Sequence, residues 1–225
     1  LVFGGLFVAA LVPWVVALDE PGGANEGIKA DVDDPTHDSR RGGVIWAHVM
    51  AGGAGCEFYF GYDWDPDDLT CQDWRTRDTW WNQCRYALEF FKGNAIPFQN
   101  MTNRNDLLVG ASSGGPYCFA SNRQVYVAYM SGPATPSLNL SGVSGSFSVH
   151  WFDPFIGGGL QAGSVTQVTG GGTVSLGNAP GPITKDRVAL VTQLSPAQPH
   201  LTLVPDGEGW QLVWAEPDCV LEHAL

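Results

Sequence analysis

The stretch PWVVALDEPGG, residues 13–23, stops an apolar run at two acids and a glycine turn. A carboxylate directly after a strand is anchored from behind and open in front, which is what an acid, base or nucleophile needs. Glu20 is therefore the first candidate, and the plainer reading is that Asp19 and Glu20 open a solvated loop. Asp31 and His37 stand on the loop and helix start that follow, as polar groups able to contact a hydroxylated ligand. Tyr62 and Trp64, in FGYDWD, carry flat rings that either stack on a ligand ring or anchor a loop. Glu57 is the rival carboxylate, but it opens its strand, so it is read as structural and suited to an ion pair with an arginine.

The segment DWDPDD sets acids at alternate positions, as a calcium loop does. An EF-hand needs Gly at its sixth place and Glu at its twelfth, and this chain has Asp68 and Trp74 there. It is read as an acidic solvated loop, with a weak calcium site as the alternative. No metal or other cofactor is assigned. The cysteines at 56, 71, 84, 118 and 219 contain no CxxC pair, which speaks against a zinc knuckle. Cys84 falls among apolar residues and reads as core, and a bridge between Cys71 and Cys84 is the one pairing considered. The GGG runs at 157–159 and 170–172 do not lie between a strand and a helix, so they are turns and not phosphate cradles.

Such residues need a scaffold. With 225 residues, 44% of them hydrophobic, the chain is long enough to bury a core. Its net charge of −12 and its lack of any basic run exclude nucleic acid as a partner. Residues 1–18 are apolar, yet Gly4, Gly5 and Pro13 interrupt them and no basic residue precedes Lys29. A signal peptide or a membrane anchor wants such flanking charge, so a membrane partner is not expected. The chain is expected to begin partway through something larger.

Residues 13–18 read as a strand buried on both faces. Thr36 is placed to cap a helix that carries Val44, Ile45, His48 and Val49 and ends at Gly52 and Gly53. GCEFYFGY follows as a second strand. Thr70 and Asp73 have the spacing of a capping box before a long helix at residues 73–92, whose apolar face is read as Trp74, Trp81, Cys84, Leu88 and Phe91. This βαβα order implies parallel strands with helices outside. After Asn94 the texture changes to short alternating runs: PYCFAS, QVYVAYM, SLNL, FSVHWF, GSVTQV, TVSL and RVALVTQ. Turn residues separate them, which predicts an antiparallel β-sandwich. The domain boundaries are set at 1–94, 95–193 and 194–225, the last a Pro-rich linker and the start of a further β module.

The stretches PWVVALDEPGGANEG, HDSRRGGVIWAHVMAGGAGCEFYFGY and DLTCQDWRTRDTWWNQCRYALEFF resemble the end of the catalytic barrel of apiosidase-like bacterial glycoside hydrolases. IPFQNM, YCFASNRQVYVAYM and VHWFDPFIGGGLQAGSVTQVTGGG resemble the small sandwich those proteins carry, a module described as collagen-binding. Phe155–Ile156 departs from that family's usual Pro-Arg, and DRVALV replaces a last strand containing Trp.

The resemblance implies the last two βα units of a (β/α)8 barrel followed by the sandwich, in a secreted bacterial enzyme. It makes Glu20 one of two carboxyls of a retaining glycosidase, with the other on a strand not present here. Tyr62, Trp64, His37 and Asp31 become contacts to a polysaccharide or oligosaccharide. Two other readings stand beside it. One is a non-catalytic carbohydrate- or matrix-binding sandwich with barrel remnants packed on it, and the other is a protein tethered to a membrane by residues 1–18.

Overall fold

The computed structural model describes residues 15–19, 27–58, 74–109, 115–121, 123–132, 134–181, 185–194, 201–206 and 209–214. The chain divides into two compact units, Leu1–Gln193 and Leu194–Leu225. In the second, strands β12 (Leu201–Asp206) and β13 (Gly209–Trp214) form an antiparallel pair.

The first unit mixes helices with β-sheets. It opens with two short parallel strands, β1 (Ala17–Leu18) and β2 (Gly55–Cys56), in register Ala17 to Gly55 and Leu18 to Cys56. Helix α1, residues 38–50, connects them, so the expected βαβ order holds. However, β1 is not buried on both faces. Val15 is 85% exposed and Ala17 is exposed, while Val16 and Leu18 are half-buried. The sequence is apolar on both faces, but only one is covered.

Thr36 does not cap α1. The residue before the helix is His37, in the left-handed region at φ 48°, with no side-chain cap bond. The Thr36 carbonyl instead accepts hydrogen bonds from Arg41 Nη1 and Gln83 Nε2. The middle of α1, Arg41–Trp46, widens into π-helical turns. At Gly42 a Cβ would stand 2.6 Å from the Tyr129 hydroxyl, so the helix backbone touches the sheet there and only glycine fits. The helix ends as expected at two glycines: Gly52 takes φ 89°, and a Cβ on Gly53 would meet the His48 ring at 2.0 Å.

A 3-10 turn, Trp74–Arg77, leads into helix α2, Asp78–Gly93. Its buried face is Trp80, Gln83, Ala87 and Phe90. The expected face is therefore corrected by one position: Trp74 and Leu88 are each 60% exposed, and Trp81, Cys84 and Phe91 lie on the flank. Gln83 hid the true stripe, because a polar residue breaks the apolar pattern while its amide donates to the Thr36 carbonyl.

All seven alternating runs after Asn94 contribute a strand. A six-stranded antiparallel sheet has the order β3-β5-β6-β11-β8-β9, from Thr102–Asn103, Tyr117–Ser121, Val125–Met130, Arg187–Gln193, Ser146–Phe152 and Gln167–Thr169. A three-stranded sheet has the order β10-β7-β4, from Thr173–Ser175, Ser137–Asn139 and Leu108–Val109. Side chains alternate across the larger sheet. Tyr126, Ala128, Met130, Ala189 and Val191 join Leu108, Leu138 and Leu176 in a core shared with the smaller sheet. Val127, Tyr129, Val188 and Leu190 face the other way, into a core with Trp46, Trp80 and Phe90 of the helices. The GGG runs are turns, as expected, and Gly157 does more: a Cβ there would lie 2.4 Å from the Tyr86 ring of α2.

Trp46 is fully buried, stacked on Tyr129 at 5.4 Å and edge-on to Phe90 at 5.7 Å. Trp46→Ala is expected to cost about 3–5 kcal/mol, whereas Leu88→Ala on the exposed flank should stay within about 0.5 kcal/mol. Urea unfolding of both variants checks the corrected helix face, and a reversed order of the two losses would restore the expected one.

Candidate functional site

The register of β1 and β2 sets where the carboxylates stand. Each strand is followed at once by an exposed acid, Asp19 after β1 and Glu57 after β2, and the Glu57 amide donates to the Leu18 carbonyl at 2.8 Å. Glu57 was expected to open its strand and so lie at the opposite end from Glu20. It closes the two residues that pair, and stands level with Asp19. Glu20, Tyr62 and Trp64 lie outside the described residues.

Asp31 and His37 are brought together. His37 Nε2 lies 2.8 Å from Asp31 Oδ1, and Asp31 Oδ2 accepts the Thr79 amide, in the first turn of α2, at 2.8 Å. The Asp31 amide donates to the Thr76 carbonyl at 2.7 Å. The His37 ring is fully buried, edge-on to Trp80 at 5.6 Å, and its own amide donates to Asp34 Oδ1. No atom of His37 faces solvent, so in this arrangement the ring fastens the loop after β1 to the start of α2. Burial pushes the Asp31 carboxyl up, but the hydrogen bonds from His37 and Thr79 outweigh it and hold the group below its ordinary range.

A second polar centre was not legible beforehand. Arg41, 1% exposed, donates from Nε and Nη2 to the two oxygens of Asp186, at 2.8 and 2.6 Å. Its Nη2 also reaches Asp38 Oδ1 at 2.6 Å, and its Nη1 reaches the Thr36 carbonyl. Tyr129 donates to Asp186 Oδ2 at 2.8 Å, and Lys185 Nζ bonds Asp38 Oδ2 at 3.1 Å. Phe155 lies within 5.1 Å of the Arg41 guanidinium and 5.2 Å of Lys185 Nζ. Burial works against the Arg41 charge, and the bonds and charge of Asp186, then of Asp38, more than restore it. The only sequence hint was an arginine inside an otherwise apolar helix face. Its partner lies 145 residues away.

Among the described residues no group of His, Cys, Asp or Glu is placed to hold a metal ion. Cys56, Cys84 and Cys118 are free thiols, so the bridge considered for Cys84 does not form. Burial pushes them up, Cys56 to about 11 and the other two to about 12, which leaves them protonated and unreactive at neutral pH. No described helix is long and apolar enough to cross a membrane.

Comparison with solved structures finds a likeness of fold. One neighbour is a glycoside hydrolase family 5 protein from Bacteroides vulgatus ATCC 8482, at TM-score 0.55 and 17% identity, covering 75% of this chain and 40% of that one. Another is described as a glycoside hydrolase, at TM-score 0.53 and 16% identity, covering 76% of this chain and 38% of that one. The chain thus spans about 40% of the length of the structures it matches. No family model and no curated protein matches it.

Two outcomes test the polar centres. Arg41→Met leaves the buried Asp186 without its counter-ion, held by the Tyr129 hydroxyl, and should cost about 3–5 kcal/mol, with part regained in Arg41→Met/Asp186→Leu. Folding lowers the Asp31 pKa, so its contribution is whole above the ordinary value of about 3.9 and is lost as pH falls through the lower folded value. Asp31→Asn should therefore unfold at lower urea at pH 7 and show a shallower loss of stability between pH 4 and 2 than the parent. Parallel pH profiles would rule out this role for Asp31.

Proposed function

We propose that this chain is the C-terminal part of a secreted glycoside hydrolase, formed by the last two βα units of a (β/α)8 barrel and an appended β-sandwich. The observation that carries the reading is the parallel β1–β2 pair, which is apolar on both faces and covered on one. Purely parallel sheets are buried on both faces, so the exposed Val15 and Ala17 suit a strand that belongs in a larger closed sheet. The fold likeness to glycoside hydrolases about twice as long supports the same view.

In this reading β1 and β2 are consecutive barrel strands, and residues just past their ends stand on the face where such barrels hold their sites. Glu20, two residues past β1, is one carboxyl of a retaining pair acting on a polysaccharide. Tyr62 and Trp64 stack on sugar rings. Asp31 and His37 keep the loop after Glu20 in place from behind. The related family is the apiosidase-like hydrolases with their collagen-binding-like module.

A two-carboxylate mechanism stops when either carboxyl is lost. In a longer protein containing this chain, Glu20→Gln should abolish turnover of aryl glycosides while the thermal melt is kept. The 225-residue chain by itself should show none. Turnover by the purified chain would place both carboxyls within it, with Glu57, just past β2, the candidate second, and would overturn the fragment reading. Full activity of the Glu20→Gln protein would remove Glu20 from the mechanism. Absence of turnover in the longer protein, with the chain still binding oligosaccharides, would favour the non-catalytic binding module.

A further inference from the structure

The parallel pair β1–β2 has one covered face and one open face. Val16 and Leu18 are half-buried, whereas Val15, Ala17 and Asp19 are exposed. On the partner strand and just past it, Cys56 and Phe58 are half-buried, whereas Gly55 and Glu57 are exposed. Packing identifies the covered face. Phe58 lies edge-on to Trp80 of α2 at 4.9 Å, and Cys56 lines an apolar cleft together with Cys84 of α2. Side chains alternate along an extended chain. Glu57, between those two residues, therefore points away from the helices.

Asp19 points the same way. The register sets Ala17 beside Gly55 and Leu18 beside Cys56, and the Glu57 amide donates to the Leu18 carbonyl at 2.8 Å. One step further on, Asp19 stands beside Glu57, on neighbouring strands about 4.8 Å apart. The step below carries the two smallest side chains of this face, Ala17 and Gly55. A Cβ on Gly55 would meet nothing within 4 Å among the described residues. The two acids thus stand over open space, at the same end of both strands.

In a closed barrel the face away from the helices is the interior, and the C-terminal ends of the strands are its mouth. Glu20 follows Asp19 directly. Ionised carboxylates accept hydrogen bonds and give none. Such a pair suits the hydroxyl donors of a sugar ring, through short charge-assisted bonds, and repels a ligand that brings a carboxylate of its own. We propose that Asp19 and Glu57 line the same sugar site as Glu20 and set its substrate class: they accept from the ring hydroxyls of neutral sugar residues and turn away uronic acids. The inference rests on the glycoside hydrolase reading and adds the substrate class to it.

The experiment is turnover of aryl glycosides by a longer protein containing this chain. Glucoside is set against glucuronide and galactoside against galacturonide, pairs alike except at C6, with xyloside and arabinoside alongside. The neutral substrates should have kcat/KM about tenfold or more above the acidic ones. On the best neutral substrate, Glu57→Gln and Asp19→Asn should each raise KM about fivefold or more, with kcat changed less. Both side chains are exposed, so the melting temperature should be kept. Both variants should also narrow the preference over the acidic sugar. An acidic glycoside turned over as well as its neutral partner overturns the inference, as does an unchanged KM in both variants. A fall in kcat with KM kept would put the residue in the bond-breaking step and overturn its binding role. No turnover of any glycoside fails the hydrolase reading itself, and the inference falls with it, so the two failures are told apart.

Discussion

The buried pair of Arg41 and Asp186 is the constraint on which the first unit turns. It joins α1 to the residue just before β11, a central strand of the larger sheet, and the Tyr129 hydroxyl closes the same carboxylate. Two charges taken out of water cost several kcal/mol each unless every donor is met. Here the fork, Asp38 and the Thr36 carbonyl meet those of Arg41. The pair therefore tolerates one position of the helix on the sheet and few others. Gly42 belongs to the same requirement, since only a residue without a Cβ lets the helix come down onto the hydroxyl that completes the cluster.

Around that point the larger sheet serves two cores. Its strands alternate, so one face closes against the smaller sheet and the other against α1 and α2. Tyr129 illustrates the economy of this arrangement. Its ring stacks on Trp46 and Tyr117, and its hydroxyl binds Asp186. Burial, then the neighbouring Asp186 charge, raise its pKa, which keeps the phenol protonated and able to donate.

The strands were legible in the sequence because period-two alternation survives wherever one face is buried, as in QVYVAYM and RVALVTQ. The βαβ order was legible too, from the glycines that end α1. The face of α2 was misread because Gln83 occupies a core position and the exposed Trp74 and Leu88 look like core. The cap of α1 was misread because Thr36 offers its carbonyl to Arg41 and Gln83 and its hydroxyl is not what starts the helix. Of the candidate site, the sequence singled out Asp31 and His37 as ligand contacts on the loop and helix start, and their bond to each other came only with the fold. Nothing local to Arg41 or Asp186 announces a partner, because long-range ion pairs leave no period in a sequence.

The distance along the chain between Arg41 and Asp186 also sets an order of events during synthesis. The two residues are 145 positions apart. At about 5–20 residues per second, the helix emerges roughly 7–30 seconds before its counter-ion exists. For that interval the guanidinium has no buried counter-ion and remains hydrated, and β6 and β8, which carry Tyr129 and Phe152, lack the strand that lies between them. The helical layer is thus a segment that waits for its template to close, and β11 supplies the charge partner and the central strand of the apolar floor together.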